Sequence, residues 1–168
     1  MMHYDGNLDV NGLHSLDNVH HFNILVWNVQ GAGGREFLPI LREHILQHKP
    51  RILALVETRT SGARAQAICD RIGFNKCIRM ETQGFQGEIW VLWNDEELRV
   101  DLVTIREQYV TVEIHFNNHV GWLFNIMYAN PHAPRREAVW HDLEMFASTC
   151  NKPWLLEGDF NETVNLEE

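Results

Sequence analysis

The sequence is poor in cysteine and has no long apolar run. Its three cysteines, Cys69, Cys77 and Cys150, are odd in number and show no C-x-x-C spacing, which argues against a disulfide framework and against a zinc site. No window approaches the roughly 18 apolar residues of a membrane-spanning helix, and the N-terminus lacks the apolar core of a signal peptide. We therefore expect an intracellular protein, nuclear or cytoplasmic and not secreted, with no membrane partner.

Positive charge is also scarce. The chain has 14 Lys and Arg against 23 Asp and Glu, a formal net charge of −9. Holding nucleic acid by broad electrostatics requires an excess of Lys and Arg, so the composition disfavours that mode. A metal-dependent phosphodiesterase is not excluded, because a divalent ion reverses the local field of a carboxylate-rich site. Local basic side chains could still contact a nucleic-acid backbone, and the candidates are Arg35, Arg135 and Arg136.

The remaining composition is that of one globular domain. Of the 168 residues, 45% are hydrophobic and 22% are charged, enough for a sizeable core. Residues 1–21 are polar and lack a sustained period, so we predict a disordered N-terminal arm there and a single folded domain over 22–168.

The first half of that domain predicts a strand, a helix and a second strand. Residues 22–28 and 52–56 are apolar runs typical of strands buried on both faces, and a helical pattern runs from about 35 to 48 between them. Such a unit predicts a parallel pair with a right-handed crossover. Asn28 and Glu57 then lie at the carboxyl ends of neighbouring strands, on one rim of the sheet.

Glu57 has two interpretations. A carboxylate on that rim suits Mg²⁺, which typically takes one or two carboxylates and completes its octahedron with water and phosphate. Alternatively, Glu57 pairs with Arg59, two residues along, or with another surface base. The residues alone leave both open.

The second half predicts further strands and then a second parallel unit. A meander of successive strands is expected over 77–80, 89–93, 98–105, 109–116 and 121–128. A helix over about 135–149 leads to a buried strand at 154–157 that ends at Gly158. This unit places Tyr128, Asp159 and Asn161 at strand ends. An Asx turn closing the last strand is the alternative reading of Gly-Asp-Phe-Asn.

Five short motifs in this order resemble the endonuclease/exonuclease/phosphatase superfamily, and most closely the endonuclease domain of plant LINE-type non-LTR retrotransposons. They are Trp-Asn-Val-Gln-Gly at 27–31, Val-Glu-Thr-Arg at 56–59, Gly-Phe-Gln-Gly-Glu-Ile-Trp at 84–90, Tyr-Ala-Asn-Pro at 128–131 and Gly-Asp-Phe-Asn-Glu at 158–162. The resemblance implies a four-layer α/β sandwich of the DNase I-like type. It also implies a nicking endonuclease that hydrolyses DNA phosphodiesters with Mg²⁺ or Mn²⁺.

The resemblance also implies roles for individual residues. Glu57 would bind the metal, Asn28 would support the metal and phosphate, and Tyr128 would contact the scissile phosphate. Asp159 would orient or deprotonate the attacking water, and Asn161 would hold phosphate oxygens. His132 and the arginines at 35, 135 and 136 would bind the substrate. A longer parent chain would add a reverse transcriptase domain.

Two departures from the family pattern accompany the resemblance. Glu88 stands where the retrotransposon pattern has a second glycine, and His132 stands near a usual asparagine. Family members also continue past Gly-Asp-Phe-Asn with motifs that supply a further Asp and His, whereas this sequence ends at Glu168. The expectation is a sandwich that is incomplete at the C-terminus, with impaired turnover. A non-catalytic remnant or binding module, and a phosphatase of the same superfamily, are the alternatives.

Overall fold

Two β-sheets face each other and carry helices on their outer faces. The computed structural model describes residues 2–4, 22–81, 88–94, 98–116 and 120–162. Sheet A contains β1 (Met2–Tyr4), β2 (Ile24–Asn28), β3 (Ile52–Val56), β4 (Lys76–Met80) and β5 (Ile89–Trp93). Sheet B contains β6 (Leu98–Ile105), β7 (Tyr109–Phe116), β8 (Trp122–Tyr128) and β9 (Trp154–Asp159). The helices are α1 (Phe37–His48), α2 (Gly62–Ile72) and α3 (Ala133–Thr149).

Sheet A has the order β1-β2-β3-β5-β4. Strands β2 and β3 are parallel with Asn28 opposite Val56, which confirms the predicted crossover and puts Asn28 and Glu57 on one edge. Strand β1 pairs antiparallel with β2, so the predicted arm outside the fold does not hold for residues 2–4. Backbone pairing to a strand edge needs no apolar pattern, which is why the polar sequence did not reveal it. The rest of the predicted arm, residues 5–21, lies outside the described residues.

Sheet B has the order β6-β7-β8-β9. Its first three strands form the antiparallel meander, and β8 and β9 are parallel across α3, as the second unit predicts. The predicted single meander is nevertheless wrong at its start, because β4 and β5 belong to sheet A and β5 lies between β3 and β4. All five residues of β5 are buried, which suits a central strand.

The layers are helices, sheet A, sheet B and a third helix. Residues of both sheets fill the core between them, with Val26, Ala54 and Val91 from sheet A and Val112 and Phe124 from sheet B. Helices α1 and α2 cover the other face of sheet A. Helix α3 covers sheet B through Val139 and Leu143. The fold is therefore the four-layer α/β sandwich that the family resemblance implies.

Helices α1 and α3 and strand β9 differ from the predicted ends. Helix α1 begins two residues later than predicted, whereas α3 begins two residues earlier, with a proline in its first turn. Strand β9 continues through Gly158 to Asp159, because Gly158 pairs with Met127 of β8 and Asp159 pairs with Tyr128 of β8. None of the helices that the structure describes is both long and apolar enough to cross a membrane.

Candidate active site

The loops after β2 and β3 run side by side and fix the first two candidate residues. The backbone amides of Val29, Gly31 and Ala32 donate to the carbonyls of Val56, Glu57 and Thr58 at 3.0, 2.8 and 2.7 Å. Glu57 has a left-handed backbone with φ of 59°, and its side chain is buried. A left-handed residue turns the chain sharply, so Glu57 leaves the strand direction as soon as β3 ends.

Asp159 connects the two sheets at the same edge. Its Oδ2 accepts a hydrogen bond from Asn28 Nδ2 at 2.6 Å, and its Oδ1 accepts from the backbone amide of Asn161 at 2.9 Å. The end of β9 is held in turn by Ala129, whose amide donates to the Asp159 carbonyl at 2.8 Å. The carboxylate is therefore oriented by a donor on each oxygen, one of them from the opposite sheet.

Tyr128 ends β8 beside two carboxylates. Burial raises the pKa of its hydroxyl above the ordinary 10.0, and the charges of Glu57 and Asp159 and a hydrogen bond to Glu57 act in the same direction, against Arg59. The hydroxyl is therefore protonated at neutral pH. Asn28, Glu57, Tyr128 and Asp159 thus lie in one cluster, as the family resemblance implies; their catalytic roles stay predictions.

Asn161 belongs to the same loop but is not extended. Its φ is 47°, and its Nδ2 donates to the Ala129 carbonyl at 2.6 Å. The segment therefore closes as an Asx turn, the alternative reading, while still delivering Asp159 to the cluster. Phe160 stacks on Trp140 of α3, with ring centroids 5.9 Å apart.

Arg59 contacts the carboxylate of Glu57. Arg59 Nη2 donates to Glu57 Oε1, so the ion pair that the sequence left open is formed. Arg59 is 59% exposed against 9% for Glu57, so the guanidinium can move into solvent while the carboxylate stays in place. In the part of the chain that the structure describes, no group of three His, Cys, Asp or Glu side chains could hold a metal ion.

Glu88 braces the loop that carries Glu57. Its buried Oε2 accepts from Thr60 N at 2.5 Å and from Thr58 Oγ1 at 3.1 Å. The Glu88 carbonyl also accepts from the Thr58 amide at 3.4 Å. The sequence marks Glu88 only as a departure from a family pattern. Its place directly before a buried apolar strand was the available signal.

Gln108 braces the loop after Tyr128. Its carbonyl accepts from the Tyr128 amide at 2.9 Å, its Oε1 accepts from the Asn130 amide at 2.6 Å, and its Nε2 donates to the Arg135 carbonyl at 2.8 Å. The side chain is buried. The sequence gives no sign of this role, because Gln108 looks like an ordinary polar turn residue and its partners are backbone groups far along the chain.

Arg136, predicted to bind the substrate, is instead engaged within the protein. Its side chain is buried, Nη1 donates to the carbonyls of Asn130 and Pro131 at 3.0 and 2.7 Å, and Nε pairs with Glu162 Oε1 at 3.1 Å. A guanidinium engaged in this way holds the loop before α3 and is not presented to a nucleic-acid backbone.

The other predicted substrate contacts are at the surface. Arg35 is exposed in the turn before α1, and His132 and Arg135 are exposed at the start of α3. Their binding roles stay predictions. The loop at 84–87, also part of the predicted pattern, lies outside the described residues.

Comparisons with solved structures support the fold. The structure is similar to the endonuclease domain of TRAS1, a telomere-specific non-LTR retrotransposon, with a TM-score of 0.62 and 16% identity over 85% of this chain and 60% of that one. It is also similar to D. rerio TDP2 complexed with a single-strand DNA product, with a TM-score of 0.61 and 12% identity over 85% and 62% of the two chains. A third neighbour is the 3' phosphatase NExo from Neisseria bound to a product DNA hairpin, with a TM-score of 0.58, 16% identity and coverage of 82% and 57%.

These neighbours define the class of fold. All three are DNase I-like α/β sandwiches, and the present chain has that fold. It spans between 57% and 62% of their lengths. No protein-family model and no curated protein matches the sequence.

Proposed function

We propose that the cluster hydrolyses DNA phosphodiester bonds with a divalent metal ion, in the manner of the nicking endonucleases of plant LINE-type non-LTR retrotransposons. The observation that carries the proposal is the hydrogen bond between the side chains of Asn28 in sheet A and Asp159 in sheet B. It lies beside Tyr128 and Glu57. Similarity of fold to a retrotransposon endonuclease and to enzymes bound to product DNA supports this choice of substrate. The proposal includes a nuclear or cytoplasmic location and a reverse transcriptase domain in a longer chain as partner.

Asp159 orients or deprotonates the attacking water in this proposal. A carboxylate has about four lone-pair sites, so the donors on its two oxygens leave acceptor positions for water. Fixing both oxygens also fixes the direction of the proton transfer, which a general base requires. Asn28 acts on the reaction by holding Asp159.

Tyr128 contacts the scissile phosphate in this proposal, and its single hydroxyl proton turns from Glu57 to a phosphate oxygen when a metal ion binds Glu57. Its pKa is raised by burial and by the two neighbouring carboxylates, so the hydroxyl keeps its proton at neutral pH. A neutral donor at this point stabilises negative charge that develops on a phosphate oxygen.

Glu57 would hold the metal ion. Its oxygens are the hard donors that Mg²⁺ and Mn²⁺ prefer, and one or two carboxylates suffice when water and phosphate fill the remaining positions. The fit requires Arg59 to leave Glu57, which its exposure permits. The ion would supply Lewis-acid polarisation of the phosphate.

The pair of Glu57 with Arg59 favours a second candidate function, a non-catalytic binding module. In that case Arg59 permanently neutralises the carboxylate that would bind metal. The chain then binds nucleic acid through exposed arginines such as Arg35 and Arg135 without cleaving it.

Nicking of supercoiled plasmid DNA distinguishes the two functions. The wild-type chain should nick slowly with Mg²⁺ or Mn²⁺ and not with EDTA. Asp159→Asn and Glu57→Gln should lower the rate by at least about 100-fold, the usual contribution of a general base or a metal. Glu144→Gln, exposed on α3, is the matched control and should nick like the wild type. DNA binding without any metal-dependent nicking would favour the binding module.

A further inference from the structure

Cys69 and Cys77 lie close together although the sequence gives no sign of a pair. Cys69 is buried near the end of α2, and Cys77 is exposed on β4. Their Sγ atoms are 3.8 Å apart, with one thiol donating to the other. The third cysteine, Cys150, follows α3 on the other side of the sandwich and its Sγ donates to the Lys152 carbonyl. We propose that Cys69 and Cys77 are a thiol oxidation site. The two residues form an intramolecular disulfide when a peroxide oxidises them.

The surrounding elements allow the sulfurs to close to a bonding distance of about 2.05 Å. Among the strands that the structure describes, β4 lies at the sheet edge and pairs with β5, so it can shift without breaking a second described ladder. The connection from α2 contains only residues 73–75 and begins with Gly73 in a left-handed conformation. A short link of this kind keeps the end of α2 next to Cys77.

The local charges favour the reaction. The hydrogen bond from Cys77 lowers the pKa of Cys69, and the charge of Arg79 acts in the same direction against burial. These influences raise the fraction of Cys69 that is present as the thiolate. The thiolate is the form that reacts with peroxides.

The proposed reaction consumes one hydrogen peroxide. The thiolate attacks a peroxide oxygen, the O–O bond breaks, and a sulfenic acid forms while hydroxide leaves and takes up a proton as water. The second thiol gives up its proton and attacks the sulfenic sulfur, the S–S bond forms, and the hydroxyl leaves with that proton as a second water. Peroxide is reduced, and the two thiols are oxidised by two electrons. Because Cys77 is exposed, the pair is reachable from solvent.

Thiol counting and peptide mass mapping test the site. The 168-residue chain is treated with hydrogen peroxide at low protein concentration, and the Cys150→Ser variant is treated in parallel as the matched control. Both should lose two free thiols and yield a linked peptide containing Cys69 and Cys77, and dithiothreitol should restore both thiols. Cys77→Ser, a substitution at an exposed position, should form no such link.

Three results would overturn the proposal. One is a wild-type chain whose Cys69 and Cys77 stay unlinked after peroxide treatment. Another is linkage of either cysteine to Cys150 or to a second chain in place of their own pair. The third is equal thiol loss in Cys77→Ser and in the wild type.

Discussion

Asn28 connects the two sheets at the candidate site. Its Nδ2 is the donor that joins sheet A to Asp159 of sheet B. Replacing Asn28 by Asp would set two carboxylates against each other. Like charges raise the pKa of such a pair, so the folded state binds protons more tightly than the unfolded state, and stability is lost as pH rises through the raised value.

We therefore expect Asn28→Asp to lower the free energy of unfolding at pH 7 by roughly 1.5–3 kcal/mol, the usual contribution of a hydrogen bond to a charged group. The deficit should shrink towards pH 4, where one carboxyl is protonated. Urea unfolding at both pH values measures it, with the exposed Asn151→Asp as control. An equal deficit at the two pH values would contradict the contact between residues 28 and 159.

Glu157 gives a second pH dependence, two residues before Asp159 on the same face of β9. Burial raises its pKa above the ordinary 4.5, against a hydrogen bond from the Gly158 backbone. The folded state therefore binds the proton more tightly, and the wild type loses stability as pH rises from about 4.5 through the raised pKa. Glu157→Gln should be more stable than the wild type at pH 7 and equal to it near pH 3.5, as followed by thermal unfolding. Glu144→Gln, exposed on α3, should show no such difference.

Individual site residues were predictable to different degrees. Four site residues could be predicted because each lies at the end of an apolar run that predicts a strand: Asn28, Glu57, Tyr128 and Asp159. Arg136 was misassigned because a helical pattern does not show that its guanidinium caps carbonyls of the preceding loop. Glu88 was undervalued because its partners Thr58 and Thr60 are nearly 30 residues away.

At the scale of elements, the loop from β3 to α2 depends on one buried carboxylate. Glu88→Ala would leave the Thr60 amide and the Thr58 hydroxyl without their acceptor. We expect a loss of roughly 1.5–3 kcal/mol in the free energy of unfolding, and faster hydrogen exchange at the Thr60 amide. Glu81→Ala removes an exposed carboxylate next to the same loop and should cost less than about 0.5 kcal/mol. Equal effects of the two substitutions would show that Glu88 does not brace the loop.

The pairing of β8 with β9 depends on Gly158. A Cβ there would lie 2.0 Å from the Met127 carbonyl oxygen, and the φ of 145° is one that side chains rarely adopt. Gly158→Ala should therefore push β9 away from β8, lower stability by more than about 2 kcal/mol and displace Asp159. Gly34→Ala is the control, because a Cβ at that position meets nothing within 4 Å. Thermal unfolding of both variants measures the difference, and a tolerated Gly158→Ala would contradict the close approach.

The existence of every described strand except β1 was predictable from the sequence, but the order of the strands was not. The five-residue run of β5 is apolar throughout, which predicts a strand buried on both faces. Its insertion between β3 and β4 depends on pairing with distant residues, which no local pattern encodes. For the same reason, the sequence did not show that the strands of the predicted meander belong to two different sheets.

Over the whole molecule, the site exists because two parallel units point their strand ends to one edge. The unit of β2, α1 and β3 belongs to sheet A, and the unit of β8, α3 and β9 belongs to sheet B. Periodicity predicted each unit by itself. That the two units meet across the sandwich follows from packing of the shared core and was implied only by the family resemblance.

The competition between Arg59 and a metal ion for Glu57 tests the central claim most directly. Titration calorimetry with Mn²⁺ should show weak binding by the wild type, because the ion must displace a guanidinium. Arg59→Gln should bind more tightly, and Glu57→Gln should lose binding, with Glu144→Gln matching the wild type. If all four chains bind Mn²⁺ equally, or if none binds it, Glu57 is not the metal ligand and the proposed hydrolytic site is contradicted.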